Sequence, residues 1–492
     1  MTTSATPSTQ IQLPPLRDYI AGQFSEPSER LGVWLENPNT GQRLAEQRAT
    51  SADGIELALQ TAWETHQSGL WANTPIAERV DLLARLSAEL EKRQERIAQL
   101  DALNTGVTIR FTSMLNMIVT GAWHLANGQL QSGWTHTTMP GPNDNPVHIY
   151  RKPWGPALLL IAWNAPSAFA AHKGASALAA GCPVILKPTE WAPYGCDIFG
   201  EAAQAAGLPP GVFQIVHGGP EVGARLVADW RIKAISFTGG LEGGRAIAAA
   251  CAPSFKPAQL EMGGNNPVIL FPDADLDEAA AGIVSLMTSL NGQWCRALGR
   301  LIVPADKEAD LLERVLDKLA QVKIGDSLDM VSDMGPMIHS SHLAGLQRQL
   351  EGLIAAGGTP HHSTPLPELG GHFLAPTLVT GVPAAQAQDE IFGPIGTVHA
   401  YETEAEMLAL ANGTPYGLEA YIFARDEEKA HQIGARIHAG EVKINGPSIL
   451  SLGIMTPRPA WGLSGMNEEG TAETFQFFCN TRVVGVEGPL SF

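Results

Sequence analysis

The spacing of apolar residues changes along the chain. Between about residues 52 and 103, apolar side chains recur every three or four positions, as in IAERVDLLARLSAELEKRQERIAQL, and this spacing predicts two or three amphipathic helices. From residue 157 onward, short apolar runs are followed by Gly or Pro and then by an Ala-rich helical stretch. Such alternation is typical of parallel sheets that are flanked by helices.

Two series of these apolar runs predict two α/β units. The first series is ALLLIAW (157–163), CPVILKP (182–188), VFQIVHG (212–218) and AISFTGG (234–240). The second series is NPVILF (266–271), the segment around Cys295, RLIVP (300–304) and EVKING (441–446). We therefore expect an α/β fold with two doubly wound parallel sheets, in which ligands lie beyond the carboxyl ends of the strands.

Two other segments predict a small β element. SGWTHTTMPGPNDNPVHIYRKPWG has β-prone arms around a centre that is rich in Pro, Gly and Asn, which predicts a protruding hairpin. FQFFCNTRVVGVEG, near the end of the chain, is too apolar for a free terminus, so we expect it to pair with a strand of another molecule. The opening MTTSATPSTQIQLPPLRDY predicts a loose arm.

Charge and composition exclude several classes of protein. The formal net charge is -18 and no run of Lys or Arg occurs, so neither nucleic acid nor an anionic membrane surface is expected as a partner. No segment approaches the roughly 18 uninterrupted apolar residues of a membrane span, and the first residues do not resemble a secretory signal. The five cysteines are widely spaced without a CxxC pair, which argues against disulfides and metal sites and favours a cytoplasmic location.

One cysteine has unusual neighbours. In SLNGQWCRALGR, Cys295 lies between Trp294 and Arg296. A thiol that only packs prefers apolar neighbours, whereas a reactive thiol needs cationic or polar surroundings that favour its thiolate. We therefore interpret Cys295 as a nucleophile whose negative charge Arg296 helps to hold, and the other four cysteines as structural.

A glycine-rich turn leaves two readings open. FTGGLEGG (237–244) follows a predicted strand and opens a helix, as a dinucleotide-binding turn does. Glu261 lies at the distance along the chain where such a motif carries its ribose-binding carboxylate. Lys187 and Glu190 in ILKPTE also follow a strand and are equally placed to reach an adenosine ribose. The spacing alone does not choose between Glu261 and Glu190.

Six motifs in order resemble the aldehyde dehydrogenase superfamily, and the resemblance covers nearly the whole chain. They are AWNAP, ALAAGCPVILKPTE, FTGG, LEMGGNNP, GQWC and DEIFGP. The resemblance implies a nucleotide-binding domain (1–128 and 150–261) and a catalytic domain (262–455). It also implies bridging strands (129–149 and 470–492) through which a homodimer or homotetramer forms.

The resemblance assigns catalytic roles to four residues. Cys295 would attack the aldehyde, and Asn164 would donate to the oxyanion that develops. Glu261 would activate the water that hydrolyses the thioester, which argues against transfer of the acyl group to coenzyme A. Lys173 would lie near the path of the proton. An acylating relative and a non-catalytic binding protein on the same scaffold remain the alternatives.

The resemblance also implies that NAD is the cofactor, with NADP possible. A glutamate at the 2′-hydroxyl accepts hydrogen bonds from NAD but repels the phosphate of NADP, which favours NAD. The residues implied in cofactor binding are Trp163, Lys187, Glu190, Phe237, Thr238, Gly239, Gly240, Glu390 and Phe392.

Departures from the family pattern bear on the substrate. In TPRPAWGLSG, Arg458 stands where an aromatic wall of the substrate tunnel is usual, and Ala165 replaces a residue that is often a large aromatic. We expect Arg458, with His172, to hold an acidic group of the substrate, while Trp294 and Phe169 form an apolar wall. A semialdehyde with an acidic group or an aromatic aldehyde is the expected substrate.

A surface role for Arg458 is the competing interpretation. In that reading, Arg458 pairs with a nearby glutamate such as Glu468 and has no contact with the substrate.

Overall fold

The computed structural model describes residues 12–448 and 452–487. The α-helices in these residues are α1 (Ala52–Gln67), α2 (Ile76–Glu91), α3 (Gln94–Thr105), α4 (Ile109–Gln131), α5 (Pro166–Ala180), α6 (Tyr194–Ala206), α7 (Pro220–Ala228), α8 (Leu241–Cys251), α9 (Leu276–Thr288), α10 (Glu308–Leu319), α11 (Ser340–Ala355), α12 (Glu404–Asn412), α13 (Glu427–Gly434) and α14 (Thr471–Phe477). The first eleven residues of the predicted loose arm lie outside the described residues.

The strands make two large sheets, one small sheet and two strand pairs. They are β1 (Asp18–Ile20), β2 (Gln23–Ser25), β3 (Glu29–Glu36), β4 (Arg43–Ala49), β5 (His136–Pro140), β6 (Pro146–Pro153), β7 (Ala157–Leu160), β8 (Val184–Lys187), β9 (Phe213–Ile215), β10 (Ala234–Thr238), β11 (Ala258–Glu261), β12 (Asn266–Leu270), β13 (Leu298–Pro304), β14 (Thr359–His361), β15 (Thr377–Thr380), β16 (Ile395–Tyr401), β17 (Tyr416–Gly417), β18 (Glu419–Phe423), β19 (Glu441–Ile444), β20 (Trp461–Gly462), β21 (Gly465–Met466) and β22 (Cys479–Val484).

The first large sheet has eight strands in the order β2-β1-β9-β8-β7-β10-β11-β21. Its five central strands, from β9 to β11, are parallel, and the strands at both edges pair antiparallel. The strand order reverses direction between β7 and β10. In doubly wound sheets, a ligand lies beyond the carboxyl ends of the strands at such a reversal.

The second large sheet has seven strands in the order β14-β15-β16-β13-β12-β18-β19, all parallel except β14. The central strands of both sheets are buried on both faces, which explains why they are continuous apolar runs in the sequence. The predicted α/β fold with two mainly parallel sheets is confirmed.

The small sheet contains the predicted hairpin. Strands β5 and β6 pair antiparallel, and β22 pairs with the other edge of β6, from Cys479 opposite Pro153 to Val484 opposite His148. The sequence predicted that this last strand pairs with another molecule. Within the chain it pairs with β6, because the hairpin presents a free edge to it, and pairing of its outer edge with another molecule stays a prediction.

Other elements differ from the prediction. The segment around Cys295 is a turn that precedes β13 and is not a strand. Strands β1 to β4, before residue 50, were not predicted, because they carry many polar side chains and two of them have three residues each. No helix in the described residues is both long enough and apolar enough to cross a membrane.

Candidate active site

The chain segments that follow β7 and β10 line a cavity of about 700 Å³. Residues 161–164 follow β7, and Gly239 and Gly240 follow β10. The cavity therefore lies at the point where the strand order of the first sheet reverses. It contains every residue that the resemblance implied in cofactor binding, namely Trp163, Lys187, Glu190, Phe237, Thr238, Gly239, Gly240, Glu390 and Phe392. We call it the first cavity.

A second cavity of about 440 Å³ lies beside the first. Asn164 and Cys295 line both cavities, so the two meet at these side chains. The second cavity is lined by all the residues predicted to contact the substrate, namely Ala165, Phe169, His172, Trp294 and Arg458. Glu261 lines the first cavity only.

An irregular loop holds Cys295 at this junction. Before it, Leu290, Asn291 and Gly292 have positive φ angles of 48°, 59° and 71°. The side-chain amide of Asn291 donates to the backbone oxygens of Gly106 and Pro336 at 2.8 and 2.9 Å, and these bonds hold the strained backbone. Sequence reasoning missed Asn291, whose only signal was its place beside Gly292 shortly before the cysteine.

The surroundings of Cys295 do not favour the thiolate. Burial, followed by the nearby carboxyl of Glu261, raises the pKa of the Cys295 thiol well above its usual range. The sequence predicted cationic surroundings for this thiol, with Arg296 holding the negative charge. The charge of Arg296 does lower the pKa of the thiol, but burial and Glu261 outweigh it. Arg296 also donates to the carboxylates of Glu419 at 2.5 Å and Glu441 at 2.9 Å.

Glu261 has the properties of a general base. Burial and the charge of Glu469 raise the pKa of Glu261 to about 7, and contact with the Cys295 thiol opposes this rise. Apart from that contact, its buried Oε2 atom has no hydrogen-bond partner among the described residues. A carboxyl group near neutral pKa with a free oxygen is suited to accept a proton at physiological pH.

Behind Glu261 lies a buried ion pair. The ammonium of Lys173 donates to Oε1 of Glu469 at 2.5 Å and to Oγ of Ser236 at 2.8 Å. Burial opposes ionisation of Glu469, but the charges of Lys173 and Arg458 lower its pKa to about 2. Sequence reasoning named Lys173 but missed Glu469, because EEG contains two adjacent glutamates and nothing in the sequence says which one is buried.

The side chain of Arg458 points to His172 and not to Glu468. Its Nη2 atom donates to Nε2 of His172 at 3.2 Å, and its backbone forms a two-bond bridge with Glu469. Glu468 is exposed. The competing surface interpretation of Arg458 therefore differs from the structure.

The far end of the first cavity holds the other candidate glutamate. Nζ of Lys187 lies 3.7 Å from Oε2 of Glu190, and both side chains line the cavity. Because Glu261 lies beside Cys295 and Glu190 lies beside Lys187, the geometry favours Glu190 as the ribose-binding carboxylate. A Cβ atom added at Gly240 would meet no atom within 4 Å, so the backbone where α8 begins is open to a bound anion.

Near the junction, Glu390 and Phe392 form another part of the first cavity. Oε1 of Glu390 accepts a hydrogen bond from the backbone N–H of Gly264 at 3.0 Å, while burial raises the pKa of Glu390 to about 7. The rings of Trp163 and Phe392 meet edge to face at 5.2 Å. A Cβ atom at Gly263 would collide with the carboxyl of Glu390, which explains a glycine at this position.

The cavity and its polar groups fit a dinucleotide. The open helix start suits a pyrophosphate, the Lys187–Glu190 pair suits one ribose and Glu390 suits the second. A nicotinamide ring bound at the end of the first cavity that meets the second cavity would lie beside Cys295.

Comparison with known proteins supports the same assignment. The model of the aldehyde dehydrogenase family matches residues 25–484. The peroxisomal aminoaldehyde dehydrogenase 2 of Malus domestica is 31% identical over 452 residues, which cover 88% of this chain and 89% of that protein. Glutarate-semialdehyde dehydrogenase of Pseudomonas aeruginosa is 30% identical over 464 residues, or 92% of this chain and 94% of that protein.

A solved structure extends the likeness to the whole fold. Aldehyde dehydrogenase C of Pseudomonas syringae, in complex with NAD+ and octanal, superposes with a TM-score of 0.91 at 30% identity and covers 99% of each chain. The resemblance inferred from the sequence is confirmed. A family match over nearly the full length, together with these relatives, shows that this chain belongs to the aldehyde dehydrogenase family of NAD(P)-dependent oxidoreductases.

Proposed function

We propose that this enzyme oxidises an aldehyde to the carboxylic acid with NAD, through a thioester on Cys295 that water hydrolyses. The observation that carries the proposal is the position of Cys295 and Asn164 in the linings of both cavities. A nucleophile at such a junction reaches an aldehyde in one cavity and a cofactor in the other. When bound, NAD(P)+ supplies a hydride acceptor beside Cys295.

In the first step, Glu261 takes the proton of the Cys295 thiol. The thiol needs a base because burial raises its pKa, and the two groups are in contact. The thiolate then attacks the aldehyde carbon and forms a tetrahedral thiohemiacetal. The buried side chain of Asn164 donates to the developing oxyanion, which stabilises the transition state more than the flat carbonyl.

In the second step, hydride leaves the tetrahedral carbon and a thioester remains on Cys295. Glu261 first releases the thiol proton to solvent through the first cavity, which it lines. The Glu261 carboxylate then removes a proton from water as the water attacks the thioester, the Cys295 thiolate leaves, and the carboxylic acid is released. The raised pKa of Glu261 and its otherwise unpartnered Oε2 support this role. A base for water beside the nucleophile favours hydrolysis over transfer of the acyl group to coenzyme A.

The preference for NAD rests on Glu190. Its carboxylate lies beside Lys187 in the first cavity, where it would accept hydrogen bonds from ribose hydroxyls and repel a 2′-phosphate. Lys187 reduces this repulsion but does not remove it, since the two groups are 3.7 Å apart.

The small sheet supports assembly into a homodimer or homotetramer. Met139 on β5 and Val483 and Val484 on β22 are exposed apolar side chains, and the outer edge of β22 has no partner strand in the described part of the chain. A reducing, cytoplasmic location is proposed because all five cysteines are unpaired.

The test compares Cys295→Ala with Cys251→Ala, which removes a buried thiol that lines neither cavity. NADH formation with a panel of aldehydes is expected to fall about 10³-fold or more in Cys295→Ala and to stay within about twofold in Cys251→Ala. Full turnover by Cys295→Ala would overturn the mechanism. Mass spectrometry of the product, with and without coenzyme A, separates the acid from an acyl thioester.

A further inference from the structure

The second cavity combines apolar walls with cationic side chains. Side chains such as Leu115, Ala168, Phe169 and Trp294 form its apolar surface, and no aspartate or glutamate among residues 12–448 and 452–487 lines it. Arg296 and Arg458 are the arginines in its lining. A cation beside a largely apolar cavity attracts an anion more strongly than a cation at the open surface does.

The two arginines differ in what neutralises them. The guanidinium of Arg296 is already paired with two buried carboxylates. Arg458 has no carboxylate within 4 Å of its guanidinium among residues 12–448 and 452–487. Its side-chain hydrogen bond goes to His172.

His172 orients Arg458 without neutralising it. Burial, together with the charge of Arg458, lowers the pKa of His172 to about 3, so the imidazole is neutral and its Nε2 accepts from the guanidinium. Glu469 is the acidic residue whose charge acts on this pair, and its carboxylate already accepts a hydrogen bond from Lys173. Lys173 is thus paired with Glu469, whereas the guanidinium of Arg458 has no described carboxylate in direct contact.

We propose that the preferred substrate is an aldehyde with an apolar or aromatic spacer and a carboxylate at its other end, and that Arg458 binds this carboxylate. The proposal rests on the proposed function, because the aldehyde must reach Cys295 at the inner end of the same cavity. A guanidinium matches a carboxylate with two parallel hydrogen bonds. One guanidinium without a carboxylate partner fits a monoanion better than a phosphate dianion, and the apolar walls suit the spacer.

Matched substrates isolate the contribution of the carboxylate. We would measure kcat/KM with NAD for 6-oxohexanoate against hexanal and for 4-carboxybenzaldehyde against 4-methylbenzaldehyde. The wild type is expected to prefer the acid in at least one pair by about tenfold or more. In Arg458→Gln this preference should fall by about 10- to 100-fold, chiefly through KM of the acid.

Two variants serve as controls. Arg458→Lys keeps the charge but loses the paired geometry, so it should retain part of the preference. Arg425→Gln removes an equal charge from a side chain that is 73% exposed and lies outside both cavities, so its preference should match the wild type.

The outcomes separate this inference from the proposed function. If the wild type forms no NADH with any aldehyde, the proposed function fails. If the wild type shows no preference for the acids, or if Arg458→Gln loses equal activity on both members of each pair, the inference is overturned and the reaction stands. If Arg458→Gln does not fold, inhibition of the wild-type enzyme tests the same inference. Adipate, a dicarboxylate, should inhibit hexanal oxidation at least about tenfold better than hexanoate. Equal inhibition would overturn the inference as well.

Discussion

The ammonium of Lys173 lies 2.5 Å from a carboxylate oxygen of Glu469, and both side chains are almost fully buried. Burial opposes ionisation of Glu469, yet the neighbouring cations lower its pKa to about 2, so it is charged at any pH where the enzyme works. That fixed negative charge is also one of the causes that raise the pKa of Glu261 to about 7. The ion pair therefore helps to set the pH above which Glu261 is ionised and can act as a general base.

We predict that Glu469→Gln shifts the pH profile of turnover to lower pH. Glu261 must be ionised to act as a base, so wild-type turnover should rise with pH through about 7. Glutamine at position 469 removes a negative charge that raises the pKa of Glu261 and leaves Lys173 unneutralised, and both changes lower that pKa. In a plot of kcat against pH, measured with saturating NAD and aldehyde, the rise on the acid side (the acid limb) should therefore shift to lower pH.

Two companion variants check the direction of this shift. Lys173→Met removes a charge that lowers the pKa of Glu261, so its acid limb should move up. Glu468→Gln changes the adjacent, exposed glutamate and should leave the limb where it is. An unchanged limb in both Glu469→Gln and Lys173→Met would rule out the electrostatic coupling.

We further predict that Glu469→Gln destabilises the fold. The substitution leaves the Lys173 ammonium buried without its charged partner, which costs about 3–5 kcal/mol. Glu468→Gln, on the surface, should change stability by no more than about 0.5 kcal/mol. Urea unfolding followed by circular dichroism compares the variants. The double variant Lys173→Met with Glu469→Gln should recover much of the loss, because no buried charge is left alone.

The parallel sheets could be predicted because their strands are buried on both faces. The runs ALLLIAW and CPVILKP each contain one central strand, and Gly181, with a positive φ, caps the helix between them. Strands β3 and β4 escaped prediction because their side chains are mostly exposed or half-buried and give no continuous apolar run. Pairing of β22 with β6 could not be predicted, since no local pattern says which free edge a strand will join.

The motifs predicted which residues form the site better than they predicted the pKa values of those residues. The chain segments that carry Cys295, Asn164 and Glu261 were found from sequence. The sequence named Arg296 as a group that favours the thiolate, and its charge does lower the pKa of Cys295. Burial and Glu261 outweigh this effect, and the partners of Arg296, Glu419 and Glu441, are distant along the chain. The pKa of a buried group depends on such long-range neighbours, and these are decided only by the fold.

We predict that Asn164→Ala lowers kcat with little effect on cofactor binding. Asn164 is buried at the junction of the two cavities, where its amide would donate to the oxyanion in the transition state. Loss of one such donor lowers kcat by about 10²- to 10³-fold. Steady-state rates give kcat, and quenching of protein fluorescence gives the Kd for NAD, which should change by less than about threefold. A similar proportional loss in kcat and in NAD affinity would instead indicate collapse of the first cavity.

We predict that Glu190→Gln weakens the discrimination between NAD and NADP. Glutamine keeps a hydrogen-bonding side chain for the ribose but removes the negative charge that repels a 2′-phosphate, and it frees Lys187, now 3.7 Å from the carboxylate, to attract that phosphate. The ratio of kcat/KM for NAD to that for NADP should fall on the order of tenfold, equivalent to about 1.4 kcal/mol. Glu313→Gln, an exposed change on α10 outside both cavities, provides the control for overall charge. Because the effect is electrostatic, raising the ionic strength should narrow the difference between wild type and Glu190→Gln, and a ratio that stays at the wild-type value at low salt would show that Glu190 does not select the cofactor.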